Sequence, residues 1–195
     1  NTTCFELKLD GFQIFFDTGS GFQNASLESN NEILIFFSHF HHDHVQGLAF
    51  NRDLLAPATK TCISSALANS ENLNKIVRDY FSGPYFPLDL FRSLENVTFS
   101  DFTATQKRLR EHFRIEAVSL AHPGGSFGYS VQTDKKKFVF LCDNEFTISQ
   151  SEELKKFVEK ADAVIWDGMF TKKEIKSKTG WGHSSIEQSI DVLST

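Results

Sequence analysis

Cysteine is scarce in this chain of 195 residues. Cys4, Cys62 and Cys142 are odd in number, widely spaced and form no CxxC pair. That excludes a disulfide framework and a cysteine-rich zinc site, and it fits a reducing, cytoplasmic setting. Cys142 reads as a small buried residue. A basic block is also missing, and the net charge is −5, which argues against a general nucleic-acid binder. No apolar run approaches the ~18 residues of a membrane span, and no signal-peptide pattern opens the chain. Internal repeats and low-complexity linkers are absent. The rest, 40% hydrophobic and 23% charged, describes one ordinary globular domain with a sizeable core. Phenylalanine is abundant, at 21 residues, and reads as core packing.

Periodicity gives the elements. FELKL (5–9) and FQIFFD (12–17) flank Asp10-Gly11, a hairpin signal. A glycine-rich loop (18–26) leads to the strand ILIFFS (33–38). LLAPATKTCI (54–63) reads as two short strands around Pro57, and 64–81 as a helix with Leu67, Leu73, Ile76, Val77 and Tyr80 near helical spacing. FSGPYFPLDL (81–90) reads as a loop. Further strands are expected at 97–102, 113–121, 127–133, 137–142 and 163–167. Helices are expected at 151–161, with Ser151 as N-cap, and at 184–193, capped near Ser184. The first half is strand-dominated and the second alternates, which suggests two sheets with helices outside.

Four of the seven histidines fall within SHFHHDH, residues 38–44. Imidazoles crowded this closely repel one another when charged and lose hydration when buried, whereas a metal ion makes neutral imidazole and carboxylate its ligands. In extended chain, residues two apart point the same way, so His39 and His41 can grip one ion. Asp43 and His44, where the chain turns, can face a second. His42 occupies a position that points to solvent or supports the loop. Other donors are expected after other strands: His122 beside the tight turn Pro123-Gly124-Gly125, and Asp143 in FLCDNE, placed to bridge two cations. His112, in KRLREHFR, reads as surface. Asp167, after AVIWD, and His183, in GWGHSS, form a further pair, in which the carboxylate would hold the imidazole tautomer and favour its protonated form. Asp17, in FFDTGSG, is expected to fix the histidine loop. Phe81, Tyr85 and Phe86 in the 81–90 loop read either as a lid that stacks on a nucleobase or as core anchors.

These motifs together, HFHHDH preceded by FDTGSG, then AHPGGSFGY, FLCDNE and WDGMF…GWGHSS, resemble the metallo-β-lactamase superfamily, and within it the phosphodiesterase and ribonuclease Z-like branch. The resemblance covers nearly the whole chain. It implies an α+β fold, an αββα four-layer sandwich of two mostly antiparallel or mixed sheets with helices outside. It also implies that His39, His41 and His122 bind a first metal, that Asp43 and His44 bind a second, and that Asp143 bridges. Asp167 and His183 match a pair that delivers a proton and contacts phosphate, so His183 is not counted among the ligands. The implied cofactors are two divalent ions, zinc first, with manganese or iron as alternatives. In the branch the second metal takes another histidine after the last helix, and none follows His183 here. The chain is therefore expected to be a single metallo-hydrolase domain over 1–195 lacking an N-terminal and a C-terminal strand; otherwise His183 serves as a ligand or the second site is weak. The expected activity is hydrolysis of a small phosphodiester such as a cyclic nucleotide, with catalytic roles for Asp43, His183 and Asp167. The alternatives are hydrolysis of thioester, lactone or β-lactam carbonyls, or a non-catalytic metal-binding sensory domain. No membrane partner and no long nucleic acid are expected, and the oligomeric state, dimer included, is left open.

Overall fold

The computed structural model describes residues 2–87, 89–92 and 94–194. The chain divides into two compact units, the first ending at Thr105 and the second beginning at Gln106. No helix among the described residues is long and apolar enough to cross a membrane.

The first unit holds a five-stranded mixed sheet in the order β1-β2-β3-β4-β5. Strands β1 (Phe5–Leu9) and β2 (Phe12–Phe16) form the expected hairpin, pairing antiparallel with Leu9 opposite Phe12. Strands β3 (Glu32–Phe37), β4 (Thr61–Ser65) and β5 (Val97–Asp101) then add parallel to β2. This sheet is mainly parallel, and its central strands read as unbroken apolar runs because both of their faces are buried. Ile33, Ile35, Phe37 and Ile63 pack in one cluster with Leu73 and Val77 of helix α2 (Ser70–Tyr80). Side-chain burial of this kind, at roughly 1.5–3 kcal/mol for each large apolar residue, holds helix to sheet.

Three expectations change here. Residues 54–63 give one strand, β4, not two. Asn51 and Asn96 take the backbone groups of the preceding segment: Asn96 Nδ2 donates to the carbonyls of Leu54, Ala56 and Thr59, which bends it into turns. The helix expected from residue 64 begins at Ser70, capped by Asn69, because β4 runs through Ser65. The 81–90 loop carries a 3-10 turn at Gly83–Tyr85 and enters another at Leu90–Arg92; Leu88 lies outside the described residues.

The charged stretch after β5 begins as a helix, α3 (Phe102–Leu109), that went unforeseen. Only Thr105 and Leu109 of it are fully buried, so little apolar periodicity marks it. The second unit holds a four-stranded sheet in the order β6-β7-β8-β9. Strands β6 (Arg114–Leu120), β7 (Ser126–Gln132) and β8 (Lys137–Leu141) pair antiparallel, and β9 (Ala163–Trp166) pairs parallel to β8. Helices α4 (Ser151–Val158) and α5 (Ile186–Leu193) follow. Val118, Leu120, Val139 and Leu141 cluster with Leu154, Val158 and Val192 from these helices. Ser151 is the first helical residue of α4 and not its cap. Thr147 and Gln150 form a capping box on the 3-10 turn before it. Likewise α5 is capped by Ser185, one residue past the expected position.

Candidate metal centre

Strand direction brings the donors to sheet edges. In the first unit β2 and β3 run parallel, with Phe16 beside Phe36, so the residues after both strands emerge at one edge, where parallel sheets characteristically hold ligands. Asp17 leaves β2 with φ 59°, a conformation that Asp tolerates better than most residues, and is fully buried. Its Oδ1 accepts the Ser38 N–H at 2.8 Å; its Oδ2 accepts the Ser38 hydroxyl at 2.7 Å and faces His44 Nδ1 at 2.8 Å. Burial pushes the Asp17 carboxyl up, and the donors of His44 and Ser38 pull against that shift.

This arrangement fixes two imidazole tautomers. Ser38 has one hydroxyl proton and gives it to Asp17, so its oxygen accepts the Nδ1–H of His39 at 2.9 Å. His44 gives its own Nδ1–H to Asp17. In both rings the lone pair then lies on Nε2. The rings converge: centroids of His39 and His41 are 4.5 Å apart, and those of His39 and His44 4.1 Å. Asp43 Oδ2 lies 3.5 Å from His44 Nε2. Helix α1 (His42–Val45) turns the chain here and points His42 to the exterior, where it contacts the Tyr80 hydroxyl. Asp17 thus holds the loop, as its place after β2 suggested. Ser38, its intermediary, carried no signal in the sequence beyond its adjacency to His39.

In the second unit β6, β8 and β9 share a direction, so their C-terminal ends meet at one edge. His122 follows β6, Asp143 follows β8 with φ 57°, and Asp167 follows β9. The turn after His122 is closed by the Gly125 N–H on the His122 carbonyl. His122 Nδ1 donates to the Gly182 carbonyl at 2.7 Å, and its Nε2 lies 3.6 Å from Asp143 Oδ2. Asp167 Oδ2 takes His183 Nδ1 at 2.8 Å and the Asn144 N–H at 3.1 Å, while Oδ1 takes the Met169 N–H. His183 Nε2 lies 4.0 Å from Asp143 Oδ2. His122, Asp143 and His183 each offer one ligand atom, all within 4.8 Å of one another. His183, expected first as an acid and alternatively as a ligand, therefore sits where a ligand could.

Sequence reasoning missed the parts that hold this loop. Glu145 accepts the N–H groups of Gly180 and Gly182, and Ser184 accepts the Phe146 N–H and donates to the Asn144 carbonyl. Asn144, fully buried, accepts the Ala121 N–H beside His122. A single acidic letter after a strand does not distinguish a candidate ligand (Asp143) from a clamp (Glu145). His112 is exposed, as expected. Cys142 is buried, as expected. Burial, with Asp17 and Glu6 nearby, pushes Cys4 up to about 12, so Cys4 supplies no ready thiolate.

The donor set fits a divalent cation on its chemistry. Nδ1 of His39, His44, His122 and His183 each meets a protein oxygen at 2.7–2.9 Å, the arrangement that aims Nε2 of a ligating histidine at its metal.

Comparison with known proteins follows the same direction. The sequence model of the β-lactamase superfamily domain matches residues 13–195. Ribonuclease Z of Haloarcula marismortui is 25% identical over 177 residues, covering 86% of this chain and 54% of that protein, so the chain spans about half the length of the curated relative it matches. The crystal structure of human tRNase Z, short form, superposes with a TM-score of 0.69 at 21% identity, covering all of this chain and 82% of that one. A diphosphatase from the PhnP family gives 0.64 at 17% identity, covering 99% and 68%. Two mixed sheets with helices, in an α+β fold, match the metallo-β-lactamase fold of these structures.

Proposed function

The chain belongs to the β-lactamase superfamily, and on that premise we propose that it is a metal-dependent hydrolase of a small phosphodiester, a cyclic nucleotide being one example. The observation that carries the reading is the anchoring of four imidazoles through Nδ1, the arrangement in which Nε2 is the atom that ligates or moves a proton. The curated relative is named a ribonuclease and the solved neighbours a tRNase and a diphosphatase, all of which attack phosphorus–oxygen bonds. A net charge of −5 with no basic arm favours a small substrate over RNA.

By motif position, the residues that would hold divalent cations are His39, His41, Asp43 and His44 in the first unit and His122 and Asp143 in the second. Zinc suits this N/O donor set, with manganese or iron as alternatives. Bound cations would supply Lewis acidity toward a phosphoryl oxygen and acidify a water. Asp43 and Asp143 would orient the attacking group. Asp167 fixes the Nδ1–H of His183, so Nε2 is the atom that would give a proton to the leaving oxygen. A second role has its own observation: the 4.0 Å approach of His183 Nε2 to Asp143 lets His183 serve as a ligand.

The test is hydrolysis of bis(p-nitrophenyl) phosphate by zinc- or manganese-loaded protein, with metal content measured in parallel. Metal-dependent turnover that Asp143→Ala abolishes is expected. Turnover on thioesters or lactones alone, insensitive to Asp167→Ala, would overturn the phosphodiester reading. His183→Ala separates the two roles of His183: an acid loses turnover at full metal content, and a ligand loses metal.

A further inference from the structure

A second feature of the first unit lies directly beside the histidine loop. A cleft of about 780 Å³, within the size range of small-molecule sites, opens between α2 and the loops around Phe50 and Tyr85. Its apolar wall is Phe50, Tyr80, Tyr85 and Phe86. Phe50 is 59% exposed and Tyr85 81% exposed. Of the two roles open for Phe81, lid or core anchor, the structure shows the second: it is buried, with Tyr80, Phe86 and Phe91 packed around it beneath the wall. Large rings standing in solvent beside a cleft mark a surface that gains by being covered.

The polar lining is Ser20, Gln23 and Gln46, whose Nε2 already donates to Thr2 Oγ1 at 3.0 Å, with one carboxylate, Asp79. Among the described residues no Lys or Arg lines the cleft, so it is not built for the phosphate itself. His42 closes one end, its ring 5.6 Å from that of Tyr80, and in sequence His42 stands between His41 and Asp43. Rings on one side and amide edges on the other suit a planar heterocycle, which presents a π face to stack and a hydrogen-bonding edge to read. An acyl chain would leave the amides unused.

We propose that this cleft is the nucleobase subsite: the substrate's base stacks on Phe50 and Tyr85 while its phosphate lies at the adjoining histidine loop. The proposal rests on the phosphodiester reading for the phosphate end, and it names nucleotides as the substrate class.

Nucleosides test it separately, because they carry no phosphate and their binding needs no turnover. Adenosine, guanosine, cytidine and uridine are titrated calorimetrically into the whole chain, into Phe50→Ala and Tyr85→Ala, and into Ile148→Ala, an exposed control in the second unit. At least one nucleoside is expected to bind, with ribose silent, and loss of either ring is expected to weaken it about tenfold while the control does not. Absence of binding by all four, or affinities unchanged in both ring variants, overturns the subsite even if the phosphodiester assay succeeds. Nucleoside binding that the ring variants lose supports the subsite even in a protein that fails the phosphodiester assay; only the phosphodiester reading then falls.

Discussion

In the first unit the imidazoles are steered by a side chain: one buried carboxylate, Asp17, sets His44 directly and His39 through Ser38. In the second unit His122 is steered by a main-chain carbonyl, that of Gly182, and His183 by a carboxylate of its own, Asp167. A side-chain anchor can be inverted by exchanging one atom. A backbone anchor cannot be inverted, and is disturbed only by moving the chain. The two kinds of anchor should therefore fail differently, His39 and His44 of the first unit through tautomers and His122 of the second through sterics.

The largest effect is expected from Asp17→Asn. The shape is kept, and Asn also tolerates the φ of 59°. Its amide nitrogen would replace Oδ2 and donate where Oδ2 accepts. One N–H would meet His44 Nδ1, which must then carry the lone pair. The other would meet Ser38 Oγ, whose proton would turn to His39 Nδ1. Both imidazoles would shift their proton to Nε2, the atom a bound metal would need. Loss of one such supporting partner typically costs 10–100-fold in metal affinity, and here two rings change, so roughly 100-fold or more is expected. Chelator competition measures the affinity, and nitrogen chemical shifts of the rings report the tautomers. Unchanged affinity with shifted tautomers would remove His39 and His44 from the ligand set.

Gly182→Ala should come next. Its φ is 80°, and a methyl there would sit 2.2 Å from His122 Nδ1 and 2.4 Å from Pro123 Cδ. Ring and turn must move, and the Nδ1–carbonyl bond with them. Gly11, in the β1–β2 turn, has a similar φ of 74° with nothing within 4 Å, and serves as the comparison. Gly11→Ala should cost the conformational strain alone, about 1 kcal/mol. Gly182→Ala should add roughly 1–3 kcal/mol of overpacking and about a tenfold loss of metal affinity. Urea midpoints and chelator competition check both. Equal costs at the two glycines would mean that the His122 loop yields freely and does not fix the ring.

The same contrast explains what could be read in advance. His39, His41, Asp43 and His44 fall within six consecutive positions, so their grouping is visible in one line of letters. His122, Asp143, Asp167 and His183 are spread over 62 positions and meet only because β6, β8 and β9 end at one edge. His122, Asp143 and Asp167 could each be proposed singly, as a polar residue after an apolar strand, and His183 as the partner of Asp167, but the approach of His183 to Asp143 could not. Strand existence was legible because the runs are strongly apolar. What escaped was set by side chains bonding to backbone, as where Asn96 turns residues 54–60 from a strand, or by weak periodicity, as in α3.

The smallest effect sharpens the comparison through two helix caps. Asn69 Oδ1 accepts the Asn72 N–H at the start of α2, and Ser185 Oγ accepts the Gln188 N–H at the start of α5, with Gln188 returning the bond. Removing either side chain should cost about 1 kcal/mol, a shift in melting temperature of roughly 2–4 °C for a chain of this size. The stability effects should match while the site effects differ. Helix α2 carries none of the candidate donors. Ser185 lies two residues after His183, and the adjoining Ser184 and Ile186 bond the backbone of Phe170. Ser185→Ala should therefore perturb the ring signals of His183, and Asn69→Ala should leave them in place. If both leave them in place, the Asp167 carboxylate alone positions His183, as Asp17 positions His44, and main-chain steering in the second unit is confined to His122.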